Sequence, residues 1–250
     1  MALAFAFVGC VRMAPPASLP VAGFEAATFT AADGGIVRYR LLRPRVVERD
    51  RRYPLVVIFH GSGAIGTDNV SQLGNLAKSW ATPAMRECYP AFVLVPQFSG
   101  RSANYSGSGA AMTSRGTDEL RNALSAIDSL TATLPIDRAQ IVAIGFSMGG
   151  SAVWNALVQR PGLFAAAVSV AGVPNRDALP LLGRTRLLLV HGDADDENPF
   201  SAALAAFDAA PKNRVEFRRY EGLAHEFPAQ LLARSDLARW LLGEHVCTTR

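Results

Sequence analysis

The chain is poor in charge, and its positive charge is almost entirely arginine. Charged residues make up 18% of the 250 residues, the formal net charge is +4, and lysine occurs only at Lys78 and Lys212. The arginines are scattered apart from one cluster at 49, 51 and 52, which we interpret as a solvated loop. Zinc-ligand spacing, a phosphate-cradling Gly-Lys-Ser motif and internal repeats are also missing. The sequence therefore predicts no nucleic-acid partner, no metal site and no nucleotide site.

Apolar stretches long enough to span a bilayer are missing from the N-terminal segment. The apolar residues 1–11 are too few to cross a membrane and are typical of a signal peptide, although a positively charged start is absent. Gly9-Cys10 resembles the end of a lipoprotein signal, and prolines follow. We predict an export segment and tether over residues 1–23, and a periplasmic, secreted or lipid-anchored protein that lipidated Cys10 would attach to the membrane.

Cysteine is scarce as well, with two further residues at Cys88 and Cys247. An exported protein can join them in a disulfide, and two free thiols are the alternative. Half of the chain is hydrophobic, which suits a single globular domain over residues 24–250.

The most informative segment is residues 141–150, where an apolar run ends in Gly-Phe-Ser-Met-Gly and a helix-compatible stretch follows. A strand, a sharp turn and a helix form the context in which this pattern marks a nucleophilic serine. Glycines at 145 and 149 let the strand and helix approach closely. We therefore predict Ser147 as the nucleophile.

A serine nucleophile needs a base and an acid that orients it, and both follow in the chain. Asp195 lies in the loop after the apolar run 186–190, with Asp193 and Asp196 as alternatives for the acid. His225 lies in the loop after the predicted strand 215–220 and is the candidate base. Two other histidines follow Ser147 in the chain. We interpret His191 as a strand cap and His245 as a solvated side chain.

A loop after the apolar strand 55–59 completes the predicted site. Its sequence is His60-Gly61-Ser62-Gly63. In enzymes whose nucleophilic serine lies in such a strand–turn–helix, a loop of this type after an early strand supplies an oxyanion donor. We expect the backbone N–H groups of Ser62 and Met148 to hold the oxyanion, and His60 to shape the loop.

The segments FHGSGAIGTDN, GFSMGG, HGDADDENP and EGLAHEF together resemble the α/β-hydrolase superfamily, in particular small bacterial serine esterases and predicted peptidases. The resemblance extends from about Phe24 to Leu242 and implies a carboxylic-ester hydrolase with Ser147, Asp195 and His225 as its triad. Pro96-Gln97 matches a pair found in this family, whereas family members often have an apolar residue before the proline where this chain has Glu197-Asn198-Pro199.

Alternating strands and helices predict a mostly parallel sheet flanked by helices on both faces. About fourteen residues separate the strands that end at 171 and begin near 186, which leaves no room for a large lid domain. The polar residues 97–116 are predicted to form a long loop beside the site. Gln97 and Tyr105 are candidates to line the substrate pocket, and Trp80 is a third candidate with core burial as its alternative. The other predicted elements are strands over 36–42, 91–96 and 164–171 and helices over 117–134, 151–159, 199–209 and 228–242.

The predicted mechanism transfers an acyl group from a small or polymeric ester to the serine and then to water, without a metal or organic cofactor. A peptidase and a polyester depolymerase of the same fold are the enzymatic alternatives. A non-catalytic binding protein on a hydrolase scaffold is the alternative from another functional class, and retention of all three triad residues argues against it.

Overall fold

The computed structural model describes residue 21, residues 23–233 and residues 235–244. The predicted export segment, with Cys10, lies outside the described residues except at positions 21 and 23, and so do His245 and Cys247. Cys88 is disulfide-bonded, and its pairing with Cys247 stays a prediction because neither of the other cysteines is described. Within the described ranges, no helix is long and apolar enough to cross a membrane.

The described chain forms one large mixed sheet and a small hairpin. The ten strands are β1 (Phe24–Thr30), β2 (Ile36–Leu42), β3 (Tyr53–Phe59), β4 (Phe92–Gln97), β5 (Ala103–Ser106), β6 (Thr113–Gly116), β7 (Ile136–Phe146), β8 (Ala166–Val170), β9 (Arg186–Gly192) and β10 (Val215–Tyr220). The large sheet has the order β1-β2-β4-β3-β7-β8-β9-β10, and β5 pairs with β6. Only the pairs β1–β2 and β2–β4 of the large sheet are antiparallel. The prediction of a mostly parallel sheet is confirmed.

Helices cover both faces of this sheet. They are α1 (Asn75–Trp80), α2 (Pro83–Cys88), α3 (Asp118–Thr133), α4 (Met148–Gln159), α5 (Phe200–Asp208), α6 (Ala229–Ala233) and α7 (Asp236–Leu242). Side chains of α3, α4 and α5 pack into one core layer, and those of α1, α2, α6 and α7 pack into the other. Each layer removes apolar surface from water, which is the main favourable contribution to folding.

Strand β3 shows how the sequence produces two layers. Leu55, Val57 and Phe59 belong to one core layer, whereas Val56 and Ile58 belong to the other. Successive side chains of a strand point to opposite faces, so a continuous apolar run is suited to a strand that is buried on both sides.

The register brings the strand ends that precede the predicted site to one edge. Phe59 of β3 pairs with Gly145 of β7, and Phe146 pairs with Val170 of β8. On the other side of β8, Tyr220 at the end of β10 pairs with Gly192 at the end of β9. Ligands of parallel α/β sheets bind outside the carboxyl ends of the strands, and the loops that follow β3, β7, β9 and β10 begin there.

Two predicted elements differ from the structure. Residues 97–116 are not a patternless loop, because they contain the antiparallel hairpin of β5 and β6, which packs against α4. The predicted helix over 228–242 is divided into α6 and α7, and Asp236 places a negative charge in the first turn of α7, where the helix dipole favours it. The link between β8 and β9 holds one short 3-10 helix, Arg176–Leu181, which agrees with the predicted absence of a large lid.

Candidate active site

Ser147 lies at the sharp turn between β7 and α4. Its backbone adopts φ 57° and ψ −120°, a conformation that costs a non-glycine residue about 1–3 kcal/mol. The turn is held by two backbone bonds: the Ser147 N–H donates to the Val170 carbonyl at 2.9 Å, and the Ser151 N–H donates to the Ser147 carbonyl at 3.0 Å. The strained residue is therefore fixed from both sides.

The two glycines that flank the serine are required by close backbone contacts. A Cβ on Gly145 would lie 2.1 Å from the Gly149 carbonyl oxygen. A Cβ on Gly149 would lie 2.0 Å from the carbonyl oxygen of Phe59, at the end of the neighbouring strand. No side chain fits either space, so the Gly-x-Ser-x-Gly pattern follows from how tightly α4 approaches the sheet.

The structure brings the three predicted triad residues together. The Oγ atom of Ser147 lies 2.8 Å from Nε2 of His225, and Nδ1 of His225 lies 3.0 and 2.9 Å from the two carboxylate oxygens of Asp195. A proton on Nδ1 that bonds to the carboxylate leaves Nε2 free to accept the hydroxyl proton of Ser147. This is the geometry that a serine nucleophile, its base and an orienting acid require.

Backbone amides hold the Asp195 carboxylate in place. Its Oδ1 atom accepts hydrogen bonds from the N–H groups of Glu197 at 3.0 Å and Asn198 at 2.9 Å, and its side chain is fully buried. The alternative acids are placed elsewhere: Asp196 is exposed, and Asp193 accepts hydrogen bonds from the Arg219 side chain and from the backbone N–H of Gly222, in the loop after β10. Among the three aspartates, the geometry favours Asp195.

His191 supports the same carboxylate from a second direction. Its Nε2 atom lies 3.0 Å from the Asn198 carbonyl oxygen and 3.1 Å from Oδ2 of Asp195. Because a carbonyl only accepts, the Nε2 atom carries the proton. Burial lowers the pKa of His191, so the imidazole is neutral at pH 7. The sequence predicted that His191 bonds to the backbone at the end of its strand, and the contact with the Asn198 carbonyl agrees with this prediction. The contact with Asp195 could be found only from the tertiary structure.

The loop that carries the acid is anchored to the neighbouring strand end. The side-chain amide of Asn198 donates to the Ala171 carbonyl oxygen at 2.6 Å, and Asn198 is itself buried. The polar sequence Glu-Asn-Pro at 197–199 therefore packs well through hydrogen bonds, where an apolar residue is common in similar proteins.

A second carboxylate faces the base. The Oε2 atom of Glu197 lies 3.6 Å from Nε2 of His225, and 70% of its side chain is exposed. This is the ring nitrogen that contacts Ser147, so the negative charge of Glu197 lies where a leaving group would pass. In the sequence, this residue was noted only as part of the polar segment that departs from the family pattern.

Apolar rings pack beside the base. The ring centroids of Phe146 and His225 are 5.1 Å apart, and those of Phe146 and Phe227 are 6.1 Å apart. Phe146 directly precedes the nucleophile and Phe227 follows the base by two residues, so both loops contribute to one apolar wall.

The predicted oxyanion donors lie at the starts of two helical turns. Ser62 begins the 3-10 turn Ser62–Ala64 and Met148 begins α4, and the first N–H groups of a helix have no partner within it. A Cβ on Gly61 would lie 3.7 Å from the Ser147 Cβ, which shows that this loop runs beside the nucleophile. Two free backbone donors next to the serine fit an oxyanion hole.

His60 shapes this loop, as predicted. Its Nδ1 atom lies 2.7 Å from the Gly61 carbonyl oxygen, and its Nε2 atom accepts the N–H of Phe98 at 2.9 Å. Burial lowers the pKa of His60, which keeps the ring neutral and suits one donating and one accepting nitrogen.

Gln97 and Trp80, two of the residues predicted to line the substrate pocket, are buried within the protein. Gln97 is buried, its Oε1 accepts the Asn69 N–H at 2.6 Å, and its Nε2 donates to Asp68 at 2.7 Å. These bonds attach the loop after β3 to the end of β4. Trp80 is 3% exposed and packs in the core layer that contains α1, which was the stated alternative.

Tyr105 lies on β5, in the hairpin that packs against α4, the helix that begins directly after the nucleophile. Burial raises the pKa of Tyr105, so its hydroxyl stays protonated at pH 7. Its part in substrate binding stays a prediction.

Across the described residues, no group of three or more His, Cys, Asp or Glu side chains is placed to hold a metal ion.

Comparisons of the sequence and the fold with known proteins reveal similarities to esterases and peptidases. The prolyl oligopeptidase family model matches residues 99–181. A protein of Nocardia uniformis subsp. tsuyamanensis named as an esterase, NocK, is 35% identical over 83 residues, which cover 32% of this chain and 24% of that protein. The crystal structure of a thermostable esterase matches with a TM-score of 0.78 and 26% identity, over 90% of this chain and 63% of that one. An acylaminoacyl peptidase in complex with a chloromethyl ketone matches with a TM-score of 0.63 and 17% identity, over 91% of this chain and 43% of that one.

The sheet topology and the serine turn agree with these similarities. The chain is a member of the α/β-hydrolase superfamily, as the sequence resemblance implied, and its relatives include both esterases and peptidases. The chain spans about a quarter of the curated relative and under two thirds of the esterase chain.

Proposed function

We propose that this protein hydrolyses carboxylic esters through an acyl-enzyme intermediate, with Ser147 as the nucleophile, His225 as the general base and Asp195 as the orienting acid. The observation that carries the proposal is the continuous hydrogen-bond chain from the Ser147 hydroxyl through the imidazole to the carboxylate.

In the first half of the reaction, Oγ of Ser147 attacks the ester carbonyl carbon as its proton passes to Nε2 of His225. The carbonyl oxygen becomes negative, and the N–H groups of Ser62 and Met148 stabilise it; each such donor contributes about 3–4 kcal/mol in comparable sites. Asp195 stabilises the imidazolium that forms. The C–O bond to the alcohol then breaks, and the alcohol leaves with the proton from Nε2.

In the second half, a water molecule replaces the alcohol. His225 takes a proton from the water as its oxygen attacks the acyl carbon, and then returns the proton to Oγ of Ser147 as the carboxylic acid leaves. Ser147 and His225 thus regain their starting protonation states. This cycle uses only groups of the chain and water.

Ester hydrolysis is supported over peptide hydrolysis by the match to the thermostable esterase, which is 26% identical over 90% of the chain. Peptide hydrolysis is the second candidate, and the match of residues 99–181 to the prolyl oligopeptidase family favours it. The two reactions share the triad and differ in the leaving group, which is an amine in a peptide.

The test compares the p-nitrophenyl ester with the p-nitroanilide of the same N-acyl amino acid. We expect a higher kcat/KM for the ester, and we expect Ser147→Ala to lower kcat by roughly 10⁴–10⁶-fold. Ser201→Ala is a matched control, since Ser201 is exposed on α5. Faster cleavage of the anilide would assign a peptidase, and full activity of Ser147→Ala would refute the proposed nucleophile.

A further inference from the structure

An apolar cavity lies beside the nucleophile and is not used by the triad. Its volume is about 510 Å³, within the range of small-molecule binding sites. It lies between the loop after β3 and the helices α1 and α6. Its main apolar side chains are those of Leu76, Ala77, Phe146, Phe227, Ala229 and Leu232.

One end of the cavity is formed by residues that neighbour the nucleophile and the base in the chain or in space. Phe146 forms part of its wall and directly precedes Ser147, and the Phe146 ring packs 5.1 Å from the ring of His225. Gly61, which a Cβ would bring within 3.7 Å of the Ser147 Cβ, forms another part of the wall. A substrate whose carbonyl lies at Ser147 therefore has one substituent directed towards this cavity.

Charged side chains are missing from the described part of the wall. Among the described residues that line this cavity, none is Asp, Glu, Lys or Arg, and the polar side chains are those of His60, Ser71, Gln72 and Asn75. His60 contributes to the wall, but both of its ring nitrogens are engaged by backbone groups. Burying an unpaired charge here is strongly unfavourable, whereas burying alkyl or aryl surface is favourable.

We propose that this cavity binds an apolar substituent of the ester, a medium-length alkyl chain or a single aromatic ring attached on one side of the carbonyl. This inference rests on the proposed function and adds its substrate class. The substituent belongs either to the acyl group or to the alcohol, and two substrate series distinguish these sources.

The first series is p-nitrophenyl acetate to octanoate, and the second is ethyl to octyl acetate, each assayed below its solubility limit. In one of them, kcat/KM of the wild-type protein rises by about fourfold per added methylene, the factor that follows from burial of one CH₂ group. A rise in the acyl series assigns the cavity to the acid, and a rise in the alcohol series assigns it to the alcohol. A flat response in both series overturns the proposal.

Ala229→Trp tests whether this cavity causes the rise. Ala229 is exposed on the cavity wall, so an indole there occupies cavity space without entering the core. We expect the ratio of long-chain to short-chain kcat/KM to fall towards one. Ala132→Trp is the matched control: Ala132 is exposed on α3, in the opposite layer, and this variant keeps the wild-type ratio. An unchanged ratio in a folded Ala229→Trp protein overturns the proposal.

Inactivation by ethyl and octyl fluorophosphonates repeats the comparison without turnover. These reagents modify an activated serine whether its natural substrate is an ester or an amide. Faster inactivation by the octyl reagent, lost in Ala229→Trp, supports the cavity even if the ester assignment fails. Equal rates for both reagents contradict the cavity even if esters are hydrolysed.

Discussion

Asp195→Asn changes the proposed site by one atom and has a consequence that follows from the structure. The Oδ1 atom of Asp195 accepts two backbone N–H groups, so the amide oxygen of an asparagine keeps that position. The new NH₂ group then faces the two imidazole nitrogens that lie 2.9 Å and 3.1 Å from Oδ2, Nδ1 of His225 and Nε2 of His191.

A hydrogen-bond donor at this position disrupts the hydrogen bonds of both imidazole rings. Nε2 of His191 donates to the Asn198 carbonyl, so a change of tautomer breaks that bond. Nδ1 of His225 can accept from the amide only if the ring proton moves to Nε2. That nitrogen then no longer accepts the Ser147 proton. Loss of the correct tautomer lowers kcat by about 10⁴-fold in other Ser-His-Asp enzymes, which corresponds to about 5.4 kcal/mol.

The assay measures kcat for p-nitrophenyl acetate with wild-type protein, Asp195→Asn and Asp196→Asn. Asp196 is exposed on the same loop, so its substitution is expected to leave kcat within about threefold. Circular dichroism and Tm verify that the variants are folded. A kcat for Asp195→Asn within tenfold of wild type would refute this reasoning about the tautomer.

Three other predictions concern the turn, the rim and pH. Gly149→Ala places a Cβ 2.0 Å from the Phe59 carbonyl oxygen, so we expect a loss of at least about 3 kcal/mol by urea denaturation, and near-wild-type stability would contradict the proposed packing. Glu197→Gln removes an exposed negative charge 3.6 Å from Nε2 of His225 and should raise kcat/KM for an anionic ester relative to a neutral one by about two- to fivefold, the size expected for a solvent-screened charge; equal effects on both esters would argue against this role. The pKa of His191 is lowered from 6.5 by burial, so the unfolded chain takes up a proton that the folded chain does not as the pH falls through about 6.5. Stability is therefore expected to decrease from pH 7 to pH 5, and by less in His191→Gln; identical slopes would show that this histidine is not responsible.

Much of the site could be predicted because each part has a local signature. The apolar run of β3, the Gly-x-Ser-x-Gly turn and the strand-end positions of Asp195 and His225 depend on nearest neighbours in the sequence. Chain order and the parallel sheet then place those strand ends at one edge. These features predicted the superfamily and the three side chains that lie within hydrogen-bond distance of one another in the structure.

The parts that were missed depend on contacts between distant segments. Strands β5 and β6 read Ala-Asn-Tyr-Ser and Thr-Ser-Arg-Gly, which lack apolar alternation, and the hairpin packs against α4. Gln97 has the composition of a binding residue, but its partners Asn69 and Asp68 lie about thirty positions earlier. His191 is four residues from Asp195 in the sequence, yet only the folded loop shows that it contacts the carboxylate.

The most direct measurement of the central claim is the site of covalent modification by a fluorophosphonate probe, read by peptide mass spectrometry. The account predicts a single modified residue, Ser147, with labelling abolished in Ser147→Ala and strongly slowed in His225→Ala. Labelling at another serine, or equal labelling of the wild-type and Ser147→Ala proteins, would contradict it.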